Sequence, residues 1–423
     1  MTDVVTLETG ALAFLGGAVA RATDGKVVFV RGAAPDEVVE VRLFQQRARF
    51  DLAVVTRVIR PSVCRVEPFC PLAGTCGGCD WQHVAVAAQR DACRQILSDA
   101  LGRAGVEMPP EEVVPSPEER AWRHRARLHI ASDGGRVRLG FFRPGTHEVV
   151  NAPECPVLMR PLLDAAAALR AALAGRGAAG TVELSLADEG VLVAINLSNV
   201  PRDLDGLQVA LAQSKAIRGG ILGAPGLGSH RFSEATGSKI LEVTGRTWRI
   251  PVAAGAFLQA NWAANGLLVE RVIAAVEAMV PPSGRILELY SGSGNMTLPL
   301  LGAGLAVEAW ESSGPAVRAL EGAAPRGATL RVHHGDAVRA LGQDGPAPDL
   351  VLLDPPRAGA RAVCEALRDH PTQGIVYVSC DPYTLGRDLG ILVDAGWRVD
   401  RVIPVDLFPH TPHIETVTAL RRR

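Results

Sequence analysis

The C-terminal part of the chain carries the feature that most constrains its fold, an alternation of short apolar runs with helical stretches. Five such runs lie between residues 284 and 382: "GRILELY", "LAVEAWE", "TLRVHHGD", "PDLVLLDPP" and "GIVYVSCDP". Apolar runs separated by helices are typical of parallel strands that are covered on both faces. Residues 251–423 are therefore predicted to form a doubly wound α/β domain, in which ligands bind at the carboxyl ends of the strands.

Several polar residues fall at that predicted edge. In "ILELYSGSGNMTLPLL", Gly292 and Gly294 form a turn between a strand and a helix, where the backbone can approach a ligand and the helix start offers free N–H groups. Glu311 ends the second run, where an acid can accept hydrogen bonds from two ribose hydroxyls. Asp336 ends the third run and is interpreted as an adenine contact. A glycine turn alone does not separate NAD, FAD and S-adenosylmethionine sites, so the cofactor stays open at this point.

The fourth and fifth runs end in Asp354 and Cys380. A core cysteine is expected in the middle of a strand, whereas Cys380 falls at the predicted ligand-binding edge. A thiolate beside a methyl donor suits methylation of uracil, because its addition at carbon 6 makes carbon 5 nucleophilic. A base must then remove the carbon 5 proton, and Glu415 in "FPHTPHIETV" is the candidate.

Five motifs in this order resemble the RNA 5-methyluridine methyltransferase family: "FLQAN", "LYSGSGNMTLPL", "LLDPPRAG", "VSCDPYTLGRDL" and "DLFPHTPHIETV". The resemblance covers nearly the whole chain. It implies a Rossmann-like methyltransferase domain, S-adenosylmethionine as cofactor, Cys380 as nucleophile and Glu415 as proton-abstracting base. It further implies a set of residues that line the cofactor and the target base: Gln259, Tyr290, Asn295, Glu311, Asp336 and Asp354. Asp336 stands where some members carry asparagine, and Asp354 lies near the uracil in the family.

The cysteines form a second constellation. Cys70, Cys76 and Cys79 have the spacing C-x5-C-x2-C, which in a cytosolic protein indicates a metal site. Cys155, followed by proline, is the candidate fourth ligand. Four thiolates suit zinc or an iron–sulfur cluster. The resemblance favours a 4Fe-4S cluster, because members with motifs like "CGGCDWQH" and "CPVL" carry one. The bacterial transfer RNA branch lacks the cluster, so the chain resembles the ribosomal RNA branch, and cluster-bearing members that act on transfer RNA stay open as an alternative. The other three cysteines are predicted to be ordinary buried or spare residues: Cys64, Cys93 and Cys364.

The N-terminal half divides into two predicted domains. Residues 1–60 contain short apolar or alternating runs, "KVVFVRG", "EVVEVRLFQ" and "DLAVVTRVI", which indicate a small β-barrel. By position and strand pattern this unit resembles a TRAM domain, an OB-like RNA-binding barrel. Residues 61–250 combine the cysteine cluster with a helix over about 83–104 and an α+β alternation that includes a helix near 160–174. The methyltransferase domain would then occupy residues 251–423.

The charge distribution indicates where RNA would bind. The net charge of −1 argues against binding through overall charge. Locally, however, residues 31–65 hold seven arginines against four acids, and "RAWRHRARLHI" at 120–130 holds four arginines and no acid. Basic side chains interleaved with aromatic ones favour a nucleic-acid surface. Arg123, Arg125 and Arg127 share one face at strand spacing and are expected to hold an RNA loop.

The leading prediction is thus methylation of uridine carbon 5 in RNA, with 23S ribosomal RNA favoured over transfer RNA. RNA cytosine methyltransferases carry a second cysteine where this chain has "DPPR", and amino-group methyltransferases carry an aromatic residue where this chain has Arg357. A non-catalytic RNA-binding or assembly protein is the alternative from another class. It predicts a degraded catalytic set, whereas Cys380, Glu415 and Asp354 are all present.

The sequence also carries an expectation about location. No apolar run approaches the roughly 20 residues of a membrane span, and "MTDVVTLETG" at the N-terminus lacks the layout of a signal peptide. A cytoplasmic protein is expected. Because RNA-binding surfaces must stay accessible, the chain is expected to be a monomer.

Overall fold

A computed structural model describes residues 4–133, 135–343 and 345–422. The strands of this described part form a closed barrel, two seven-stranded sheets and one two-stranded sheet. Of the helices in those ranges, none is both long and apolar enough to cross a membrane.

The first five strands close into a barrel, as the N-terminal runs predict. Alternation places every second side chain inside, so that Val28 and Val30 are almost fully buried. In barrel order the strands are β1 (Val4–Leu12), β2 (Ala18–Arg21), β3 (Val27–Arg31), β5 (Phe50–Arg60) and β4 (Val38–Gln46).

The segment 61–85, which carries three of the cysteines, is fixed to the barrel rather than free as a linker. Trp81 is fully buried and its indole N–H donates to the carbonyl of Gly16 at 3.1 Å. The buried carboxylate of Glu37 accepts from Arg65, and the ring of His83 lies 3.0 Å from the carbonyl of Ala33. Since an unpaired buried polar group is costly, these contacts hold the segment in one place.

The second sheet is mixed and has two helices packed against it. Its order is β12-β11-β10-β9-β6-β7-β8. The helix predicted near 160–174 is present as α2 (Arg160–Leu173), and α3 (Leu204–Ala212) joins it. A separate hairpin, β13 and β14, follows the sheet in the chain. The strand bounds are β6 (Arg125–Asp133), β7 (Arg136–Phe142), β8 (Val149–Asn151), β9 (Gly180–Ala187), β10 (Gly190–Leu197), β11 (Gly219–Ala224), β12 (Gly228–Ser233), β13 (Thr236–Val243) and β14 (Arg246–Ala253).

The third sheet confirms the predicted doubly wound domain. The order is β17-β16-β15-β18-β19-β21-β20: five parallel strands are followed by β21, which is antiparallel to both its neighbours, and by β20 at the edge. The strand bounds are β15 (Arg285–Leu289), β16 (Ala306–Glu311), β17 (Leu330–His334), β18 (Leu350–Leu353), β19 (Gly374–Ser379), β20 (Trp397–Val405) and β21 (Glu415–Arg422). The helices of this region are α4 (Trp262–Glu277), α5 (Thr297–Gly302), α6 (Gly314–Ala323), α7 (Ala337–Ala340), α8 (Arg361–Leu367) and α9 (Pro382–Asp394).

Helix α1 (Val86–Arg103), which follows the cysteine-bearing segment, packs against this third sheet. Leu97 and Leu101 share a core with residues of β18, β19 and α9. The two helices approach closely at Gly386, where an added Cβ would lie 2.7 Å from the carbonyl oxygen of Ala100. The helix therefore ties the cysteine-bearing segment to the C-terminal domain.

Candidate active site

The carboxyl ends of the parallel strands gather the residues predicted from the sequence. Strands β15, β18 and β19 end at Leu289, Leu353 and Ser379, so Tyr290, Asp354 and Cys380 each follow directly. Glu311 is the last residue of β16, and Asp336 comes shortly after β17. Because the strands are parallel, all these positions lie at one edge of the sheet, where open α/β folds bind ligands.

Glu415 reaches the same edge from the opposite chain direction. Strand β21 runs antiparallel to β19, and Ser379 pairs with Thr416. One residue further along this register, Cys380 stands across from Glu415, the first residue of β21. The antiparallel strand thus brings together a thiol and a carboxyl group that come from two separate motifs.

Three acidic groups face one another at this point. Glu415 is only 3% exposed, and its pKa is raised well above the usual range by burial and by the nearby Asp354. Burial raises the pKa of Asp354 to about 7. Burial, then Glu415 and Asp354, raise the pKa of the Cys380 thiol to about 12, while Arg357 lowers it. The site therefore favours protonated groups until a positive charge or a substrate compensates them.

The Asp-Pro pair after the cysteine explains why the strand ends there. Asp381 caps helix α9, since its carboxylate accepts from the backbone N–H groups of Tyr383 at 3.0 Å and Thr384 at 3.1 Å. Pro382 occupies the first helical position, where no backbone N–H is needed. The Arg357 guanidinium lies 3.4 Å from the second oxygen of Asp381. Cys380 is consequently held on the capped turn between β19 and α9, at the carboxyl edge of the sheet.

The glycine turn and the acid of β16 form a cradle. Glu311 accepts from the backbone N–H of Gly292 at 3.0 Å and from that of Ser313 at 2.7 Å. Gly294 has a φ of 98°, and a Cβ there would lie 2.7 Å from Leu320. Both the backbone conformation and the close packing therefore require glycine at this position.

The remaining predicted cofactor residues surround this cradle. Tyr290 adopts a left-handed φ of 64°, and burial, followed by Asp336, raises its pKa to about 12. The carboxylate of Asp336 accepts from the N–H of Val338 at 2.8 Å and caps α7. Asn295 exchanges two amide hydrogen bonds with Asn265 of α4, at 2.8 and 2.9 Å, and so ties the turn to that helix. Gln259 is buried just before α4.

A further acid lies beneath the cradle and was not singled out from the sequence. Glu288 is almost completely buried in β15, and burial raises its pKa to about 8. The hydroxyl of Thr297 donates to its carboxylate at 2.6 Å. The available signal was the glutamate inside the otherwise apolar run "ILEL", because a charged residue in a parallel strand is unusual.

The four predicted ligand cysteines line one cavity: Cys70, Cys76, Cys79 and Cys155. Burial raises the pKa of Cys79 to about 11, and Arg123 lowers it. Within the described ranges, no three Cys, His, Asp or Glu side chains converge closely enough to hold a metal ion. The thiols therefore share one cavity without converging on a single point. Four thiols that line one cavity are a donor set that suits zinc or an iron–sulfur cluster.

The arginines of the segment 120–130 have different partners. Arg125 and Arg127 both pair with Glu183 of β9, the former at 2.6 Å. Arg127 remains 63% exposed. The guanidinium of Arg123 instead donates to the carbonyl of Gly78 at 3.2 Å, between two of the cysteines. Of the three, Arg127 is thus the most accessible to RNA, while Arg123 supports the cysteine-bearing segment.

Comparison with known proteins identifies the family and the fold of this chain. The family described as "tRNA (Uracil-5-)-methyltransferase" matches residues 345–423, which contain Asp354, Cys380 and Glu415. A solved structure of the Pyrococcus abyssi tRNA (uracil-54, C5)-methyltransferase with S-adenosyl-L-homocysteine aligns with a TM-score of 0.73 over 98% of this chain and 99% of that one. At 23% identity this likeness establishes a shared fold.

Similarity to curated relatives extends over nearly the whole chain. Proteins named 23S rRNA (uracil(1939)-C(5))-methyltransferase RlmD from Halomonas elongata and Chromohalobacter salexigens are 38% and 37% identical, each over 97% of this chain and 88% of the relative. The protein of the same name from Shewanella sediminis is 34% identical over 98% of this chain and 95% of its own length. The chain therefore belongs to the family of S-adenosylmethionine-dependent RNA uracil-C5 methyltransferases.

Proposed function

We propose that this enzyme methylates carbon 5 of a specific uridine in 23S ribosomal RNA, with Cys380 as covalent nucleophile. The register that sets Cys380 across from Glu415, with Asp354 beside them, carries the proposal. The names of the full-length relatives favour ribosomal RNA. The family description and the archaeal structure name transfer RNA, so methylation of transfer RNA is the second candidate.

The first step assigned to this chain is addition of the Cys380 thiolate to carbon 6 of the flipped uracil. The new carbon–sulfur bond moves the electrons of the 5,6 double bond toward carbon 5, with the charge shared by the carbonyl oxygen at position 4. Bound S-adenosylmethionine supplies an electrophilic methyl group and a positive charge. Because Cys380, Asp354 and Glu415 form an acidic group at this edge, that charge favours ionisation of the thiol.

The electron-rich carbon 5 would then take the methyl group, with the electrons of the broken sulfur–methyl bond left on the cofactor sulfur. The second assigned step is removal of the carbon 5 proton by Glu415. The electrons of the broken carbon–hydrogen bond re-form the 5,6 double bond, and the carbon–sulfur bond breaks to return the thiolate. Burial beside Asp354 makes Glu415 a stronger base than an exposed carboxylate, because it raises the pKa of its conjugate acid. Asp354 is assigned to orient the uracil ring by contacting the polar edge of that ring.

The cradle residues are assigned to the cofactor. Glu311 would accept from the ribose hydroxyls, Asp336 would contact the adenine, and Tyr290 would cover the ring. Gln259 is assigned to the methionine part of the cofactor, and Asn295 is assigned to the glycine turn that supports this part. Support for these roles comes from their shared position at the carboxyl edge, where the fold binds ligands.

The barrel is assigned to RNA binding, with residues 1–60, 61–250 and 251–423 as the RNA-binding, cluster-bearing and catalytic domains of a cytoplasmic monomer. On the barrel surface Arg57 and Arg60 are 70% and 62% exposed. Phe44 is 45% exposed with the Arg31 guanidinium 5.4 Å above its ring. An arginine at an exposed aromatic ring suits an unstacked base, and exposed arginines elsewhere on the barrel suit phosphates.

We also propose that the four cysteines hold a 4Fe-4S cluster with a structural role. Anaerobically purified enzyme is expected to contain about four iron atoms per chain and to absorb visible light, as thiolate-ligated clusters do. Cys155→Ser should lower the iron content, because it replaces a soft thiolate by a hydroxyl. Cys64→Ser is the matched control, since Cys64 lies outside the cavity. Full iron content in the Cys155 variant would exclude Cys155 as a ligand.

Identification of the substrate RNA tests the proposed function. Unmodified 23S ribosomal RNA and unmodified transfer RNA are each incubated with the anaerobic enzyme and S-adenosylmethionine, and their nucleosides are measured by mass spectrometry. We expect 5-methyluridine in the ribosomal RNA alone. Its appearance only in transfer RNA would retain the chemistry and overturn the substrate. Absence from both, with cofactor bound, would favour a non-catalytic RNA-binding protein.

The raised pKa of Glu415 gives a pH prediction. Proton removal needs ionised Glu415, so the rate of adduct breakdown should rise with pH through its raised pKa. Asp354→Asn removes a neighbouring negative charge that raises this pKa, and should move the profile to lower pH. Glu365→Gln, a surface change on α8, is the control. A single-turnover pH profile measures the shift, and an unchanged midpoint in Asp354→Asn would contradict coupling of the two carboxyls.

A further inference from the structure

The loop 406–414 between β20 and β21, called here the base loop, ends directly at Glu415. His410 lies at its centre, is 3% exposed and adopts a left-handed φ of 69°. A non-glycine residue in this conformation is kept there by its surroundings. The contacts of His410 therefore bear on the conformation of the base loop, whose next residue is Glu415.

Residues on both sides of the three cysteines in the cysteine-bearing segment contact His410. Asp80, which follows Cys79, donates its backbone N–H to the His410 carbonyl at 2.9 Å, and Trp81 donates to the same oxygen at 3.0 Å. Phe69, which precedes Cys70, packs its ring edge-on against the imidazole with centroids 5.0 Å apart. The stretch that contains three of the cavity cysteines is thus bracketed by residues that hold the base loop.

Gln89 of α1 completes the connection and is itself buried, with 4% exposure. Its side-chain oxygen accepts from the backbone N–H of His410 at 2.9 Å. Its amide nitrogen donates to the carbonyls of Trp81 at 3.0 Å and Val84 at 2.8 Å. One side chain therefore joins the cysteine-bearing segment to the base loop, and both amide hydrogens and the oxygen are used.

Two more contacts attach the base loop to the same region. The imidazole of His410 lies 2.9 Å from the carbonyl of Glu119, and Arg90 of α1 pairs with Asp406 at 3.2 Å. Ile414, adjacent to Glu415, is buried in the core that also contains Trp81 and Val84. Glu415 itself pairs with Val405 of β20, and these contacts attach the loop that precedes it to the cysteine-bearing segment, although the two lie far apart in sequence.

We infer that Gln89 and His410 are positioning residues, through which the cysteine-bearing segment holds the base loop so that Glu415 can reach the carbon 5 proton. The inference rests on the proposed function. Addition of Cys380 and methyl transfer do not use Glu415, whereas proton removal and release of the thiolate do. Disorder in the cysteine-bearing segment therefore stalls the enzyme as a methylated covalent adduct with RNA.

The test measures two rates with full-length, anaerobically purified enzyme, S-adenosylmethionine and a 23S ribosomal RNA transcript. One is formation of the denaturation-resistant RNA–protein adduct, and the other is its breakdown to 5-methyluridine. Gln89→Leu removes all the amide contacts, and His410→Asn removes the imidazole while tolerating the left-handed backbone. Gln95→Leu is the matched control, because Gln95 lies exposed on the same helix.

We expect adduct breakdown in Gln89→Leu and His410→Asn to slow roughly 10- to 100-fold, as a small misplacement of a reacting group does. Adduct formation should stay within about twofold, and Gln95→Leu should match wild type in both rates. Oxidative removal of the iron from wild type should reproduce the slow breakdown. Iron content and a thermal melt on each variant establish that it is folded.

Two patterns would overturn the inference. Equal slowing of both rates in folded Gln89→Leu would indicate a general loss of structure or RNA binding, and unchanged breakdown would show that the base loop needs no such support. Glu415→Gln, measured in parallel, separates these from failure of the proposed function. If it traps no adduct, the role of Glu415 is wrong; if it traps adduct while Gln89→Leu and His410→Asn do not, only the positioning inference fails.

Discussion

Replacement of Cys380 by alanine is expected to lower methylation by roughly 10⁴- to 10⁶-fold, the scale seen when a covalent nucleophile is lost. Without the thiolate, carbon 5 of uracil lacks the electron density to displace a methyl group from the cofactor. Affinity for S-adenosylmethionine should change little, because the cradle around Glu311 and the glycine turn is built from other strands. Methyl incorporation and equilibrium binding of the cofactor measure the two effects separately.

Cys64→Ala is the control for that substitution, since Cys64 is a partly buried thiol outside the catalytic edge. It should retain methylation within about twofold, in line with substitutions away from functional features. Substantial methylation by Cys380→Ala would contradict covalent catalysis. It would point instead to direct transfer onto a nitrogen or oxygen atom that is nucleophilic by itself.

Replacement of Glu415 by glutamine is expected to slow turnover by about 10²- to 10⁴-fold, the usual contribution of a general base. The amide is nearly isosteric and cannot take the carbon 5 proton. Because Cys380 and the methyl donor are unaffected, the enzyme should accumulate as a covalent complex with methylated RNA. Denaturing electrophoresis would detect the complex, and peptide mass spectrometry would place the RNA on Cys380.

The double variant Cys380→Ala/Glu415→Gln should form no adduct, which shows that the trapped bond involves this thiol. Glu365 is an exposed residue of α8 that pairs with Arg361. Glu365→Gln should therefore trap no adduct and turn over normally. A Glu415→Gln enzyme that turns over at the wild-type rate would assign the proton to another base, and Asp354 would be the group to examine next.

Much of the catalytic domain could be predicted because its signals are local. Each parallel strand is a short apolar run, and residues proposed for the site lie at or directly after its end, as Asp354 and Cys380 do. The barrel was predictable from alternation in "VVFVR", which buries Val28 and Val30. In these regions the short stretch whose hydrophobic pattern predicts a strand also contains, or directly precedes, the residues with the chemistry proposed for the site.

The parts that escaped prediction depend on pairing between distant segments. Glu415 was named from the sequence, but the antiparallel register of its strand with β19 cannot be read from either strand alone. Gln89 is one polar residue in a helix, and its role is visible only once His410 lies beside it. Glu288 is buried within an apolar run. Its position beneath the cradle is visible only in the structure.

Helix α1 illustrates the same limit at the level of domains. Its sequence predicts a helix over about 83–104, and the structure has it at Val86–Arg103. Its packing partner was not predictable, because an apolar face fits any complementary surface. The structure packs it on α9 through the close approach at Gly386, which links the cysteine-bearing segment to the catalytic sheet.

The most direct test of the central claim uses RNA that carries tritium at carbon 5 of its uridines. Methylation at that carbon must replace its hydrogen, so wild-type enzyme should release one tritium to water for each methyl group incorporated. Glu415→Gln should incorporate the methyl group into the adduct and retain the tritium, and Cys380→Ala should do neither. Methyl incorporation by wild type without tritium release would place the methyl group on another atom and contradict the account.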